Sequence, residues 1–405
     1  MDTPHQVIRN PKIETRKLPA IQQTSGCRNW FLKLAKGRFS HGPLFFLLVA
    51  VAARGAPKAS SPTATASAKS AADAVLAKDR QQVLTANPLA MFYFSDDSSG
   101  LASLQAHANA MTLLAPQCYG LDRAGGLHGQ LPAGVLDATR SAGLALMPLV
   151  TNAGFDRPKA HALLHNSKAQ ARAASALAQL AGRNQYVGWQ LDFENISPAD
   201  KYAYTRFVGR VAARLHRAHR LLSVAVVPRF SDTYPDSSSP GFHTGEWGAA
   251  YDYRGLGRVA DFLVVMTYDQ HTPSTPPGPV AGYDWVKAVM EYALCCVLPS
   301  KLLLGLPFYG REWDETSLRT TSHSLAFKDL NCFLKDPESE QYWDGLSRTT
   351  WYQLREGGTL RTAWFDDARS LREKMKLVQI YNLRGYAAWR LGVEDPEFWQ
   401  SREGE

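Results

Sequence analysis

In residues 186–196, YVGWQLDFENI, two carboxylates and an amide alternate with large apolar side chains. Successive residues of a strand point to opposite faces, so Gln190, Asp192 and Glu194 share one face and Trp189, Leu191 and Phe193 the other. A bare carboxylate is costly to move out of water, and in a strand it must be paired, neutralised or put to use. Capping the next helix would occupy an acid, but Asn195, Ser197 and Asp200 are better placed for that. Alternate side chains rise by about 6–7 Å along a strand, which puts Glu194 at its C-terminal end with Asp192 just below. There two carboxylates can give and take protons on a bound substrate.

The elements that must position these acids are short apolar runs at 89–95, 113–121, 144–152, 186–195, 221–229, 261–270, 301–310 and 385–392. Between them lie helical patterns such as 161–182 and 200–219. The second carries Tyr204, Phe207, Val208, Val211 and Leu215 at the three-and-four spacing of one helix face. Near-continuous apolar strands separated by helices indicate a parallel sheet covered on both faces. Eight such units predict an α/β fold, the closed (β/α)8 TIM barrel. No GxGxxG follows the first strand, which argues against a dinucleotide-binding sheet. The excess stretch at about 311–365 contains WYQLREGGTLRTAWFD, two extended pieces around a Gly-Gly turn. It predicts a small α+β insertion after strand seven.

Barrel enzymes keep their chemistry at the C-terminal mouth. Strand six ends in MTYDQH, which places Met266 and Tyr268 on one face and Asp269 at the rim. Strand eight carries Trp389. A tryptophan sharing a mouth with two carboxylates and a tyrosine is what stacking on a carbohydrate requires. Tyr93, Asn152, Arg229 and Tyr309 stand at other strand ends, where they are expected to line a cleft.

The 405-residue chain is 45% hydrophobic and 20% charged, a globular composition. Of its net +8, residues 1–41 supply +6 through eight Lys/Arg against two Asp/Glu. The remainder is close to neutral and has no basic stripe interleaved with aromatics, which excludes nucleic acid as a partner. The basic front is followed by PLFFLLVAVAA (43–53), shorter than the roughly 20 apolar residues of a membrane span. Residues 1–56 are read as a leader that exports the chain to the periplasm, envelope or exterior. Left uncut, the same segment would tether it to a membrane. The Ala/Ser/Thr-rich stretch 57–85 is read as a linker, ordered at most near its end, and 86–405 as the barrel. The cysteines show no metal-ligand spacing; no metal, cofactor or obligatory protein partner is expected.

These residues carry a resemblance over nearly all of 88–400 to glycoside hydrolase family 18, the chitinase-like enzymes. The tail LDFE resembles the end of the family's DxxDxDxE signature, with Asp192 and Glu194 in the matching places. Met266, Tyr268 and Asp269 match its MxYD pattern, and Trp389 its strand-eight tryptophan. The chain departs from the family at Val187 and Gln190, where the first two aspartates would stand. The amide within GxxxDFENI is similar to the branch containing spore-cortex and cell-wall N-acetylglucosaminidases. FYFSDDSSGLASLQAHANAMTLLAPQCYGL and EDPEFW resemble that branch as well.

The resemblance implies hydrolysis of β-1,4 bonds next to N-acetylglucosamine in a peptidoglycan- or chitin-like polysaccharide, retaining and substrate-assisted. Glu194 would be the acid and then the base, Asp192 would orient the 2-acetamido group and Tyr268 would donate to its oxygen. Trp389 would form the floor, and Gln190, which cannot titrate, would hold Asp192 ionised over a broad pH range. Two other readings share the fold: a chitinase-like lectin with little turnover, and a sugar-processing module of an exopolysaccharide system.

Overall fold

A computed structural model of the chain describes residues 62–232, 245–316 and 320–400. The apolar runs become eight strands: Leu89–Phe94, Leu113–Leu121, Ala145–Leu146 continued by Leu149–Asn152, Gly188–Asp192, Leu221–Val226, Phe262–Val265, Leu302–Pro307 and Gly385–Trp389. Each pairs in parallel with its neighbours, and the first pairs with both the second and the eighth, so the barrel closes. Closure removes every sheet edge and is the (β/α)8 TIM barrel that eight alternating units imply.

The two strand faces bury different cores. Trp189, Leu191 and Phe193 pack outward in one cluster with helix residues such as Leu177, Phe207 and Val211. Met91, Leu149, Val187, Phe262 and Leu303 point inward and fill the barrel. The helix Lys201–His216 buries the stripe Tyr204, Phe207, Val208, Val211 and Leu215 that its sequence spacing marks. The pattern at 161–182 is instead two helices, Arg157–Leu164 and Ser167–Asn184. Asn166 breaks it by accepting from the backbone N–H groups of Lys168 and Ala169, which makes it the N-cap of the second helix.

The stretch read as a linker is a helix from Pro62 to Thr85. Leu76 and Val83, seven residues apart on one face, join the inner cluster beside Leu89, Leu113, Val187 and Leu221, the entry ends of the strands. The helix therefore closes the N-terminal end of the barrel, and the Arg384 guanidinium donates to the carbonyls of Val83 and Ala86 to hold it. Two apolar residues suffice because the barrel supplies the other wall; that wall is invisible in a local composition. The leader 1–56 lies outside the described residues, and no described helix is long and apolar enough to cross a membrane.

After the seventh strand comes a five-stranded antiparallel sheet, Gly310–Glu315, Thr320–Leu325, Glu340–Asp344, Thr349–Glu356 and Thr359–Phe365, with the short helix Asn331–Lys335 on it. This is the small α+β insertion. Its exit is fixed by a fully buried ion pair, Lys374 Nζ to Asp366 Oδ1 at 2.5 Å, which ties the last strand to the helix Ala368–Ile380.

Val83→Ala removes two methyl groups from a fully buried position. It is expected to cost about 2 kcal/mol from lost transfer energy and the cavity left behind. A urea titration should show a lower midpoint with an unchanged slope; an unchanged midpoint would mean the helix does not close the barrel.

Candidate active site

The acids leave the fourth strand where its ladder ends. Asp192 is its last residue, 4% exposed, and pairs in register with Thr151. Glu194 follows two residues later and is partly exposed at the mouth. The chain around Glu194 is held by side chains. Asn152 Oδ1 accepts from the Glu194 N–H at 2.9 Å, and Asn152 Nδ2 donates to the Glu194 carbonyl at 2.9 Å. Tyr251 Oη donates to the Phe193 carbonyl at 2.5 Å. Asn195 then turns with φ +53°, its Nδ2 donating to the Phe155 carbonyl at 3.1 Å. With its backbone groups bonded in this way, the segment presents both carboxylates from a fixed frame.

Burial decides their protonation. Asp192 is pushed up to about 7 by desolvation. Glu194 is raised well above the usual carboxylate range, first by burial and then by the negative charges of Asp192 and Asp269. A side-chain hydrogen bond with Trp247, whose indole N–H can only donate, partly offsets that rise. Burial therefore favours the protonated form of both acids, and the charge of Asp192 favours it further at Glu194. The phenol of Tyr268, raised by burial and by its tyrosine and carboxylate neighbours, stays protonated and able to donate.

Tyr268 comes close because the seventh strand carries Gly305 beside it. A Cβ there would lie 2.4 Å from the Val265 carbonyl oxygen and 3.1 Å from the Tyr268 ring. Beyond Tyr268, Asp269 sits exposed at the rim with φ +59°. Its Oδ1 accepts from Tyr309 Oη at 2.7 Å and from Arg311 at 3.1 Å. Tyr268 and Tyr309 meet ring to ring at 6.3 Å. Trp389 is half-buried at the end of the eighth strand, 5.2 Å from the ring of Tyr93, and Met266 packs partly buried at the end of the sixth. Glu194, Asp192, Tyr268, Asp269, Tyr309 and Trp389 thus all stand at strand ends around one mouth.

Four expected positions differ. Asn152 is 1% exposed and spends its amide on the Glu194 peptide, so it is a positioning residue rather than a cleft wall. Arg229 is buried, its guanidinium donating to the carbonyls of Tyr251 at 2.7 Å and Ser231 at 2.8 Å. Tyr93 is buried beneath Trp389 because its strand face points into the barrel. Gln190, expected to hold Asp192, donates instead to Tyr93 Oη at 2.6 Å. Gln190 Oε1 and Asp192 Oδ1 are both buried without a hydrogen-bond partner among the described residues. Even without a second acid at Gln190, desolvation alone raises Asp192 to about 7.

Three residues of the site carry no local signal. Trp247, 42% exposed, stands on the short helix Gly245–Ala249. Tyr251 follows that helix, and Arg311 opens the insertion. Each reaches the mouth from far along the chain, and only the order of barrel strands brings them there. Among the described residues one group could hold a metal ion, His161, His165 and Asp200, outside the carboxylate pair.

A family model for glycosyl hydrolases family 18 matches residues 137–394. The chain is 25% identical over 315 residues to the glycosylase YvbX of Bacillus subtilis (strain 168), covering 76% of this chain and 89% of that one. It is 28% identical over 306 residues to the cortical fragment-lytic enzyme of the same organism, covering 74% and 65%. Among solved structures, a chitinase from Chromobacterium violaceum ATCC 12472 superposes with a TM-score of 0.70 at 26% identity, covering 77% of this chain and 97% of that one. The spore cortex-lytic enzyme SleL of Bacillus megaterium QM B1551 superposes at 0.68 over 77% and 72%, a likeness of fold at 24% identity.

A carboxyl raised on folding favours the folded state fully below its unfolded value, and that contribution is lost as pH climbs through the folded value. For Asp192, raised from 3.8 to about 7, the loss by pH 8 is of order 4 kcal/mol at most. Asp192→Asn is therefore expected to be more stable than the parent at pH 8, with the advantage gone by pH 4. Melting temperatures of both proteins across that range check this. An advantage that grows toward acid would reverse the sign.

Proposed function

The chain belongs to glycosyl hydrolases family 18, and from that premise we propose that it cleaves β-1,4 bonds beside N-acetylglucosamine with retention, the substrate's own acetamide acting as nucleophile. The observation that supports this reading is that Asp192 ends the fourth strand and Glu194 follows it two residues later, so both acids leave the barrel at the same strand end. A two-carboxylate glycosidase needs its acids on opposite sides of the sugar, about 5–5.5 Å apart if retaining. Asp192 and Glu194 come from one strand end, not from two strands that face each other across the mouth. The third acid at the mouth, Asp269, is engaged by Tyr309 and Arg311. The acetamide is then the group left to attack the anomeric carbon.

In this scheme Glu194, kept protonated by burial and by Asp192, donates to the leaving glycosidic oxygen. Asp192 accepts the acetamide N–H and offsets the charge of the oxazolinium. Tyr268 donates to the acetamide oxygen, and Trp389 stacks under the sugar. Glu194, now ionised, takes a proton from the attacking water. Gln190 acts through Tyr93, holding the ring that supports Trp389.

A relative named for lysis of cortical fragments supports peptidoglycan as the polymer. Such a substrate lies outside the cytoplasm, in keeping with an export role for residues 1–56.

Purified peptidoglycan and defined chitooligosaccharides should give products whose masses place N-acetylglucosamine at the new reducing end, and proton NMR taken before mutarotation should show the β anomer first. Glu194→Gln is expected to lower turnover by about 10²–10⁴ with binding retained. Glycans with hydroxyl in place of the acetamide should not be cut. Cleavage of such a glycan at a comparable rate, or a sugar trapped on Asp192 or Glu194, would overturn the mechanism.

The pair's coupling gives a further outcome. Asp192→Asn removes a negative charge that raises Glu194. Its residual activity should therefore fall off at lower pH than that of the parent enzyme. A basic limb that stays in place would separate the two acids.

A further inference from the structure

We propose that His161, His165 and Asp200 form a binding site for a divalent transition-metal ion of the zinc class, one that pins the turn leaving Glu194 to the neighbouring helix. His161 and His165, from the sequence HALLH, lie one turn apart on the helix Arg157–Leu164 and its C-cap. Residues at this spacing share a helix face, the arrangement by which two imidazoles chelate one ion. Their rings are 4.4 Å apart and both aim a nitrogen at the same carboxylate. His161 Nδ1 is 2.9 Å from Asp200 Oδ2, and His165 Nε2 is 2.8 Å from Oδ1. The Asp200 side chain is 2% exposed, while those of His161 and His165 are 58% and 50% exposed. A buried anion thus forms the base of the site and two rotatable donors form its open side.

The three donor atoms lie within 4.8 Å of one another. Ligand atoms around a tetrahedral ion with bonds of 2.0–2.1 Å stand about 3.3 Å apart. Opening each contact by a few tenths of an ångström, through rotation of the exposed rings, would seat the ion and leave its fourth position to water. Two imidazoles and one carboxylate suit zinc, nickel or copper better than the all-oxygen preference of magnesium or calcium. The position matters because Asp200 ends the turn that begins after Glu194. The start of that turn is already tied down: Arg157 Nε donates to Asn195 Oδ1 at 3.2 Å, and Asn195 to Phe155. The ion would secure its other end.

The test uses tag-free full chain, stripped with chelator and titrated with zinc chloride by calorimetry. One equivalent should bind at this site. At a hundredfold excess over Kd the ion should raise Tm by roughly 4 °C. His161→Gln and His165→Gln, both at exposed positions, should each lose that equivalent and that rise, with affinity down at least about tenfold to a hundredfold. Comparing the zinc-induced shift, rather than Tm itself, separates ligation from the loss of a hydrogen bond to Asp200. Absence of zinc, nickel and copper binding, or variants that bind and shift as the parent does, would overturn the site.

Discussion

A buried carboxylate at the end of one barrel strand, with a second, half-buried one two residues on, is what the rest of this barrel has to accommodate. An isolated buried charge would be neutralised or would unfold its surroundings. Here burial raises both, and the charge of Asp192 further opposes ionisation of Glu194. That arrangement is intrinsically weakening near neutral pH, and the frame around it is correspondingly strong. Asn152 brackets the Glu194 peptide from the third strand, and Tyr251 holds the Phe193 carbonyl from beyond the fifth. Stability given up at the acids is what favours a protonated carboxyl at the mouth of the barrel.

Gln190 shows how one change of residue type redistributes the proton. An acid in its place would be a third titrating group on the same face. The amide instead turns to Tyr93, whose ring lies against Trp389. The inner residue of the triplet thus serves the floor of the mouth rather than the electrostatics of Asp192. Asp192 is left to solvent exclusion alone, and desolvation is the single cause that moves it. A residue's distance from water outweighs the identity of its neighbour two positions earlier in the strand.

The period of two in YVGWQLDFENI marks Gln190 and Asp192 as one buried face of the fourth strand, and eight apolar runs separated by helical patterns mark the barrel. Those signals survive because each is written within one segment. What was not legible depends on partners far away in the chain. A polar residue at a strand end reads alike whether it faces the cleft or a neighbouring backbone, so Asn152 and Arg229 read as cleft walls although each bonds to backbone. The helix Pro62–Thr85 has only Leu76 and Val83 to bury and becomes ordered because the barrel's entry end needs them. The HALLH pair is plain in the sequence, yet its third member, Asp200, is brought beside it only by packing of the helix Arg157–Leu164 near the start of Lys201–His216.

The insertion is part of the same electrostatic frame. Arg311 is the second residue of its first strand and is buried, so its guanidinium is fixed by the sheet that carries it. It meets Asp269 at 3.1 Å, where Tyr309 also donates. Asp269 in turn is one of the charges that raise Glu194. A shift of the insertion relative to the seventh strand would therefore change how far Asp269 is neutralised, and with it the proton affinity of Glu194. The antiparallel sheet is anchored beside Arg311 by the buried Lys374–Asp366 pair, since Phe365 pairs with Gly310 and Trp364 with Arg311, and so it fixes a charge at the mouth.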